Sequence, residues 1–394
     1  MKTIAIVGAS VAGVRSAQAL RAAGFDGRLT LLGDEPHVPY DRPPLSKEFL
    51  AGSTDEAGLA LLDDEDLAGL ALDLRPGTRA AALDTAAGRV RLVDGGEVAA
   101  DGVVVATGGS ARRLPGTSDV EGVHALRTLD DARALRAALA PGSRVAVVGG
   151  GFIGAEVAST CRALGLDVTV LDGLDTPLAP VLGPTVAATC VALHDDAGTT
   201  LHAGVAVEGL TTAPTSGGAR RVTGVRLRDG REVPAEVVVV GVGITPNTGW
   251  LQGSGVKVEN GACTDDGLVT DVPAVVAVGD VARWCRGTST HRHEHWTSAG
   301  EQAAVAAENL LAGSTVRTVA PSGYVWSEQY GRLLQLAGHP DSRDAVEVLH
   351  GDPGERRFVA RYVGTDGATT GLFAMAEPRM FGRLRRTELP RRAG

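Results

Sequence analysis

The chain has 394 residues, of which 44% are hydrophobic and 22% are charged, so it has the composition of an ordinary globular protein with two or three domains. Its net charge of -9 argues against a general nucleic-acid binder, and no apolar run approaches the length of a membrane span. A strand is predicted directly after Lys2, and nothing resembles a signal peptide, so we predict a cytoplasmic protein that does not bind membranes.

Residues 4–35 have the pattern of a dinucleotide-binding βαβ unit. An apolar strand leads into a turn with Gly8, Ser10 and Gly13, then an amphipathic helix and a second apolar strand that ends at Asp34 and Glu35. In such a unit a pyrophosphate lies at the helix N-terminus, the glycines permit a tight turn and close packing, and a carboxylate binds a ribose hydroxyl. One glycine pattern of this kind is a weak signal by itself.

Residues 36–50 form a proline-rich loop that runs into a short predicted helix. Because proline fixes φ, the loop can hold Arg42 and Lys47 at defined positions. Lys47 is one of only three lysines, against 35 arginines. This bias indicates a specific need for a compact ammonium group, such as a position beside an anionic ring system. The alternative is an ordinary surface lysine on a short helix.

The nucleotide-binding pattern returns at residues 144–172. Gly149, Gly151 and Gly154 all stand in its turn, and Asp172 ends its second strand. Two intact units predict two nucleotide ligands in one chain. No arginine follows Asp172 before residue 220, so a 2′-phosphate would meet a negative charge without a counter-ion, which predicts NADH rather than NADPH.

Upstream of this unit, residues 128–139 predict a helix with Asp130 at its N-cap.

The cysteines and histidines predict neither a redox dithiol nor a metal site. Cys161, Cys190, Cys263 and Cys285 are far apart and are expected to be small buried hydrophobes in a reducing compartment. Because no cysteine precedes residue 161, the first unit has no thiol to present to a flavin, and disulfide reduction is not expected. Three histidines alternate over residues 291–295, but no further ligand cluster accompanies them.

The segment from Gly33 to Lys47, G-D-E-P-H-V-P-Y-D-R-P-P-L-S-K, resembles the signature of the FAD-dependent, NADH-linked ferredoxin reductases of the putidaredoxin reductase family. These enzymes serve bacterial cytochromes P450 and Rieske-type dioxygenases. The resemblance covers essentially the whole chain, and the later motifs match in order and spacing. It implies bound FAD, NADH as the electron donor, a [2Fe-2S] ferredoxin as the acceptor and a P450 or Rieske oxygenase beyond it, in a monomer or homodimer.

The resemblance also implies roles for individual residues. Lys47 is expected beside the flavin, paired with Glu156 of the second unit, and these two form the predicted catalytic pair. Trp326 is expected near the flavin. The residues predicted to bind FAD are Gly8, Ser10, Ala12, Gly13, Asp34, Glu35, Arg42, Lys47, Ala80, Thr107, Gly108, Arg127, Asp280, Trp296 and Thr297. The residues predicted on the NADH side are Gly149, Gly151, Ile153, Gly154, Asp172 and Gly243.

We therefore predict an α/β fold with two Rossmann-like dinucleotide-binding domains and a C-terminal α+β interface domain. The FAD domain is expected to comprise residues 1–109 and 240–312, the NAD domain residues 110–239 and the interface domain residues 313–394. The last region carries twelve arginines against nine acidic residues, and we predict that an acidic ferredoxin docks there. A solvated helix face with a frayed tail is the alternative. The final arginines are Arg379, Arg383, Arg385, Arg386, Arg391 and Arg392.

Two other functions stay open from the sequence. A reduced flavin could act directly on O2 or a small acceptor, although the missing early cysteine counts against the thiol-assisted NADH oxidases. The chain could instead be an NADH-sensing flavoprotein similar to the apoptosis-inducing factors, in which NADH binding changes assembly. Slow reoxidation by every acceptor would favour the sensing function.

Overall fold

The computed structural model describes residues 1–286 and 289–389, apart from the side chains of residues 286 and 289–291. Arg391 and Arg392 and the side chain of His291 thus lie outside the described residues. Up to residue 138 the elements are β1 (Thr3–Val7), α1 (Val11–Ala22), β2 (Arg28–Leu32), α2 (Glu48–Ala51), α3 (Asp64–Leu70), β3 (Leu72–Arg75), β4 (Ala80–Asp84), β5 (Arg89–Leu92), β6 (Glu97–Ala99), β7 (Gly102–Val105), β8 (Gly109–Ala111), β9 (Val120–Glu121), β10 (Val123–Ala125) and α4 (Leu129–Ala138). From residue 144 to 246 they are β11 (Arg144–Val148), α5 (Phe152–Ala163), β12 (Asp167–Leu171), α6 (Ala179–Asp196), β13 (Thr200–His202), β14 (Val207–Pro214), β15 (Arg220–Leu227), β16 (Glu232–Pro234), β17 (Val237–Val240) and β18 (Ile244–Pro246). The remainder are β19 (Ala262–Thr264), β20 (Val275–Ala277), β21 (Ala282–Arg286), β22 (Ser289–His291), α7 (Trp296–Ala312), β23 (Val325–Gln329), β24 (Arg332–Gly338), β25 (Ala345–Asp352), β26 (Arg357–Val363), β27 (Thr369–Met375) and α8 (Pro378–Glu388).

The first parallel sheet has the strand order β20-β7-β1-β2-β3. Four of its strands, β20, β7, β1 and β2, are largely apolar because the sheet packs against α1 and α7 and against strands β4, β5 and β6, and β7 is buried along its whole length. Strand β20 arrives from late in the chain and pairs with β7 through Val275 and Val103. The carboxyl ends of β1, β7 and β20 therefore meet at one edge, where a nucleotide binds in such sheets.

The second parallel sheet repeats this plan with the order β10-β17-β11-β12-β13. Strand β11, which begins the second βαβ unit, lies at the centre, as β1 does in the first sheet. Each unit also carries an antiparallel meander, β4-β5-β6 in the first and β14-β15-β16 in the second. The prediction of two Rossmann-like units is confirmed.

The C-terminal sheet is antiparallel, with the order β23-β24-β27-β26-β25. One face packs on α6, where Leu182 and Val186 meet Phe358 and Phe373. The other face packs on α8 through Phe381. Both faces of the central strands are thus buried, so the predicted α+β arrangement of this region is confirmed.

The prediction of Asp130 as an N-cap was wrong. Helix α4 begins after Thr128, whose side chain accepts a hydrogen bond from the Asp131 N–H, while the Asp131 carboxylate accepts one from the Thr128 N–H. Asp130 instead lies in the first turn, 2.7 Å from Arg133 Nη1. Threonine followed three residues later by an acid is a capping-box pattern, and the two reciprocal bonds outweigh a single cap at Asp130.

All four cysteines are free, and Cys161, Cys190 and Cys263 are buried as the sequence predicts, whereas Cys285 is only partly buried. Among the described residues, no helix combines the length and the apolar composition needed to cross a bilayer.

A buried histidine joins α6 to the C-terminal sheet, and we expect it to make the stability depend on pH. His194 Nδ1 lies 2.7 Å from the Tyr330 hydroxyl, and burial lowers the pKa of His194 to about 4. Between this pKa and the ordinary value of about 6.5, the unfolded chain binds a proton that the folded chain does not. The free energy of unfolding should therefore be about 3 kcal/mol lower at the acidic end of this window than above it. Urea titrations across the window should show this slope in the wild type, reduced in His194→Gln but retained in a variant of the exposed His350.

Candidate active site

The first glycine turn has no space for a side chain at two of its positions. Gly8 has φ +118°, and a Cβ there would lie 2.1 Å from the carbonyl oxygen of Ala106, just after β7. A Cβ on Gly13 would lie 1.9 Å from the Gly8 carbonyl oxygen. Only glycine fits either position. The turn therefore holds the N-terminus of α1 against the edge where β1 and β7 end.

Helices α1 and α5 begin without a side-chain cap. Ser10, the N-cap of α1, makes no capping hydrogen bond to any described residue, and no acid lies in the first turn. Helix α5 has Gly151 at its N-cap and no acid in its first turn. Helices α3 and α4, by contrast, each begin with a capping box. Because first-turn N–H groups bind phosphate and carboxylates repel it, α1 and α5 suit the pyrophosphates of two dinucleotides.

Glu35 is connected to the first glycine turn, whereas Asp34 is exposed. Glu35 accepts hydrogen bonds from Arg42 Nη2 at 2.6 Å and from the Tyr40 hydroxyl at 2.5 Å. Arg42 Nε in turn lies 3.4 Å from Ser10 Oγ. Burial raises the pKa of Tyr40, so its hydroxyl remains a neutral donor to Glu35. The fixed carboxylate is therefore Glu35.

The segment before Ala80 runs beside this acidic end of β2. The Thr78 N–H donates to the Gly33 carbonyl at 2.6 Å, and the Gly77 N–H donates to the Glu35 carbonyl at 2.8 Å. Strand β4 then begins at Ala80, so its backbone lies on the Glu35 side of the first sheet.

Arg127 and Asp280 come together at the same edge although 153 residues separate them. Arg127 Nη2 lies 2.7 Å from Asp280 Oδ2, and the Arg127 carbonyl accepts a hydrogen bond from Arg42 Nη1. A Cβ on Gly279 would lie 3.0 Å from the Ala12 Cβ, so the turn that carries Asp280 stands against the start of α1. The predicted Arg42, Arg127 and Asp280 thus form one connected group.

The loop after β7 carries Thr107 and Gly108 and is held by Asn247. The Thr107 hydroxyl donates to the Asn247 carbonyl at 2.7 Å, and Asn247 Nδ2 donates back to the Thr107 carbonyl at 3.0 Å. The Asn247 N–H donates to the Gly108 carbonyl at 2.9 Å. Arg127 Nε also donates to the Gly109 carbonyl at 3.0 Å, so this loop is connected to the group formed by Arg42, Arg127 and Asp280.

Lys47 and Glu156 form a buried ion pair between the two nucleotide-binding units. Lys47 Nζ lies 2.9 Å from Glu156 Oε2, and the two side chains are 14% and 4% exposed. Ser46 Oγ donates to the same carboxylate oxygen at 2.5 Å. Lys47 follows a 3-10 turn, Pro43–Ser46, in the proline-rich loop, and Glu156 lies on α5. An ion pair this buried needs additional hydrogen bonds to offset desolvation, and Ser46 supplies one.

The second glycine turn repeats the geometry of the first. Gly149 has φ +104°, and its Cβ would lie 2.3 Å from the Gly241 carbonyl oxygen, while a Cβ on Gly154 would lie 1.9 Å from the Gly149 carbonyl oxygen. A Cβ on Gly151 would meet no described atom within 4 Å, so this position faces open space. Gly243, with φ +93°, also faces open space.

Asp172 and two exposed apolar side chains surround this second turn. Asp172 accepts hydrogen bonds from the Gly150 N–H at 2.6 Å and from the Leu174 N–H at 2.8 Å, so it is fixed beside the turn. Ile153 is 48% exposed at the start of α5, and Val242 is 37% exposed beside Gly149. Large apolar side chains left exposed beside a glycine turn of this kind suit contact with a planar ligand.

Trp296 is fixed at the start of α7. Its indole N–H donates to Asp41 Oδ1 at 2.6 Å, and its ring meets Trp326 of β23 edge to face at 5.7 Å. Burial raises the pKa of the Asp41 carboxyl, although the indole hydrogen bond opposes this. The N-cap His295 makes no side-chain cap in the described part of the chain, so the positive end of the α7 dipole, with Thr297 in its first turn, is open to a ligand.

Tyr40, Ser46 and Asn247 also hold the site together, although no sequence pattern predicts them. They carry no charge and form no spacing pattern. The Tyr40 hydroxyl accepts a hydrogen bond from the Leu129 N–H at 2.8 Å and so joins the proline-rich loop to α4. Contacts of this kind link residues distant in sequence, and no local signal reports them.

No group of three histidine, cysteine or carboxylate side chains within the described ranges is arranged to hold a metal ion.

Residues 2–303 match the family model described as pyridine nucleotide-disulphide oxidoreductase, and residues 324–389 match one described as reductase C-terminal. A probable ferredoxin reductase of Castellaniella defragrans is 39% identical over 385 residues, covering 96% of this chain and 91% of that protein. The ferredoxin-NAD(+) reductase component of the biphenyl dioxygenase system of Paraburkholderia xenovorans is 36% identical, covering 96% and 91%. The solved covalent complex of putidaredoxin reductase with putidaredoxin contains a chain with a TM-score of 0.90 at 33% identity, covering 99% of this chain and 94% of that one.

Proposed function

We propose a function from one premise: the chain belongs to the pyridine nucleotide-disulphide oxidoreductase family. The resemblance to ferredoxin reductases found in the sequence is confirmed. Within this family, the proposed activity is FAD-containing NADH:ferredoxin reduction, with a [2Fe-2S] ferredoxin that serves a P450 or Rieske oxygenase. The observation that carries the proposal is the buried Lys47–Glu156 pair, which joins the proline-rich loop of the first unit to α5 of the second.

The first unit fits FAD in its chain geometry. The Gly8 turn and the uncapped α1 suit the pyrophosphate, with Arg42 beside it, and Glu35 suits the adenosine ribose. Asp280 and Thr297 would face the ribityl chain and the ring. The chemistry of such a cofactor is to take a hydride from NADH and release the two electrons singly. The chain's own contribution is to bind, orient and exclude water.

The second unit fits NADH through the Gly149 turn, Gly151, Ile153 and Asp172. Lys47 would hold positive charge beside the reacting rings, and Glu156 would fix the ammonium through the 2.9 Å contact.

The proposed domains are an FAD domain of residues 1–109 and 240–312, an NAD domain of residues 110–239 and an interface domain of residues 313–394. We also propose a cytoplasmic setting, where the four free cysteines remain reduced.

Anaerobic stopped-flow absorbance tests this function. The flavin of the purified protein is mixed with NADH and then with a panel of [2Fe-2S] ferredoxins. Fast bleaching followed by rapid reoxidation by one ferredoxin is the expected result. Bleaching with reoxidation by O2 alone would favour an oxidase, and no bleaching by NADH would contradict the assignment of the second unit.

Asp172→Asn should weaken the preference for NADH. The change removes the negative charge that binds the ribose diol and repels a 2′-phosphate, but it keeps an oxygen that can accept the Gly150 N–H. We expect kcat/KM for NADH to fall about tenfold, as for loss of a hydrogen bond to a charged group, while NADPH gains. Steady-state kinetics with both nucleotides measure this ratio. The exposed Asp175→Asn is the matched control, and an unchanged ratio in Asp172→Asn would contradict the role of Asp172.

The reaction with ferredoxin should depend on salt and on the arginines of α8. Arg379, Arg383 and Arg386 are exposed on this helix, and Arg385 stacks over the Tyr324 ring at 5.0 Å. We expect Arg383→Glu with Arg386→Glu to slow reoxidation by ferredoxin about tenfold at low salt, with a smaller salt dependence and unchanged reduction by NADH. Arg343→Glu, at a side chain 88% exposed on a loop beside α6, is the matched control. Rates indifferent to ionic strength would contradict docking on this helix.

A further inference from the structure

The Glu156 carboxylate is held from two sides. Lys47 and Ser46 of the proline-rich loop meet Oε2, at 2.9 and 2.5 Å. Oε1 accepts a hydrogen bond from Ser327 Oγ at 2.7 Å, and Ser327 belongs to β23 of the C-terminal sheet. Glu156, Ser46 and Ser327 are all at most 3% exposed. Three distant segments of the chain thus meet at one buried carboxylate.

The direction of the Ser327 hydrogen bond is set by its neighbour. Gln329 Nε2 donates to Ser327 Oγ at 3.1 Å, and Gln329 is also buried. A hydroxyl has one proton, so when its oxygen accepts from Gln329 the proton remains for Glu156. The Gln329 amide and the Ser327 hydroxyl therefore form a directed chain of hydrogen bonds to Glu156. The Lys47 ammonium contacts the same carboxylate from the opposite side.

Strand β23 contributes to the site with two successive residues. Side chains alternate along a strand, so Trp326 meets Trp296 while Ser327 meets Glu156. Removal of the Ser327 hydroxyl would leave Glu156 Oε1 without the hydrogen bond from the C-terminal sheet, and because Glu156 is buried, water would not replace it. A buried carboxylate that loses a donor can rotate, and the position of the Lys47 ammonium depends on its orientation.

We infer that Ser327 is a positioning residue for the reduction step by NADH, acting through Glu156 on Lys47. The C-terminal region then takes part in both half-reactions, in reduction through Ser327 and in reoxidation through the docking surface on α8. The inference rests on the proposed function, because it assigns Ser327 to the NADH step of that reaction.

The test is anaerobic stopped-flow with Ser327→Ala that retains its flavin. We expect the limiting rate of reduction by NADH to fall about tenfold, as for loss of one hydrogen bond to a charged group, with the NADH concentration at half-maximal rate unchanged. The rate of reoxidation by ferredoxin should also be unchanged. Ser254→Ala is the matched control, because Ser254 is equally buried but bonds to Leu251, and its reduction rate should match the wild type.

A double variant separates positioning from general damage. If Ser327 acts through the ion pair, Ser327→Ala should add less than about twofold in a Lys47→Met background, whereas independent effects would multiply. Ser327→Thr, which keeps the hydroxyl, should recover most of the rate of reduction by NADH. If Ser327→Ala does not fold, Gln329→Met replaces it in the test and should lower the rate of reduction by a smaller factor. Wild-type reduction rates in Ser327→Ala, or full multiplication in the double variant, would overturn the inference. Failure of the wild type to react with NADH would instead refute the proposed function.

Discussion

Gly8→Ala should yield a protein that purifies with little flavin. The new Cβ would lie 2.1 Å from the Ala106 carbonyl oxygen at φ +118°, a conformation that alanine rarely adopts. The turn must shift, at a cost of about 1–3 kcal/mol for backbone strain and about as much for overpacking, and the first-turn N–H groups of α1 move with it. Together these effects should lower flavin affinity at least about 100-fold. The ratio of flavin to protein absorbance after purification measures the result.

The equivalent glycine of the second unit provides a direct comparison. Gly149→Ala places a Cβ 2.3 Å from the Gly241 carbonyl oxygen, so it should weaken NADH binding while the flavin stays bound. Gly69→Ala is the control, because that exposed position in α3 has no described atom within 4 Å of a Cβ. If Gly8→Ala kept its full flavin content, or if both variants lost flavin equally, the assignment of one nucleotide to each turn would be wrong.

Lys47→Met should retain flavin but react with NADH about 100-fold more slowly, as expected for loss of one preorganised charge at a reacting centre. Methionine keeps the length of the side chain without its charge. The change also leaves Glu156 as an unpaired buried carboxylate, which should cost about 3–5 kcal/mol of unfolding free energy. Stopped-flow reduction and urea unfolding measure the two effects separately.

Two further variants distinguish chemistry from stability. Adding Glu156→Gln to Lys47→Met removes the unpaired charge, so the double variant should recover stability but not the rate of reduction. Lys257→Met, at an exposed lysine, should change neither quantity. Recovery of the rate together with the stability would show that Lys47 has only a structural role.

The local features of the site could be predicted because steric rules act over a few residues. The two glycine turns were found from spacing alone, and the Cβ contacts at Gly8, Gly13, Gly149 and Gly154 give the reason: each alternative residue meets a backbone oxygen. The same local logic contained the signal for the α4 cap. Thr128 and Asp131 have capping-box spacing, and this spacing identifies Thr128 rather than Asp130 as the N-cap.

The contacts between distant segments were decided only by the tertiary structure. The sequence implied Lys47 and Glu156 as a pair through family resemblance, but it gave no reason to add Ser46, Ser327 or Gln329, which are neutral and distant. Nor did it distinguish Glu35 from Asp34, because neighbours in sequence carry the same charge but point in different directions.

The sequence by itself determined the two nucleotide-binding units, the order of the three regions and the positions of the glycines in the two turns. These follow from periodicity and steric exclusion, which are properties of short segments. The tertiary structure alone decided which polar groups surround the buried carboxylate of Glu156 and how β23 reaches the site from the C-terminal region. Such contacts form because packed sheets exclude water, so a buried charge must take its hydrogen bonds from whichever segments the fold brings near it.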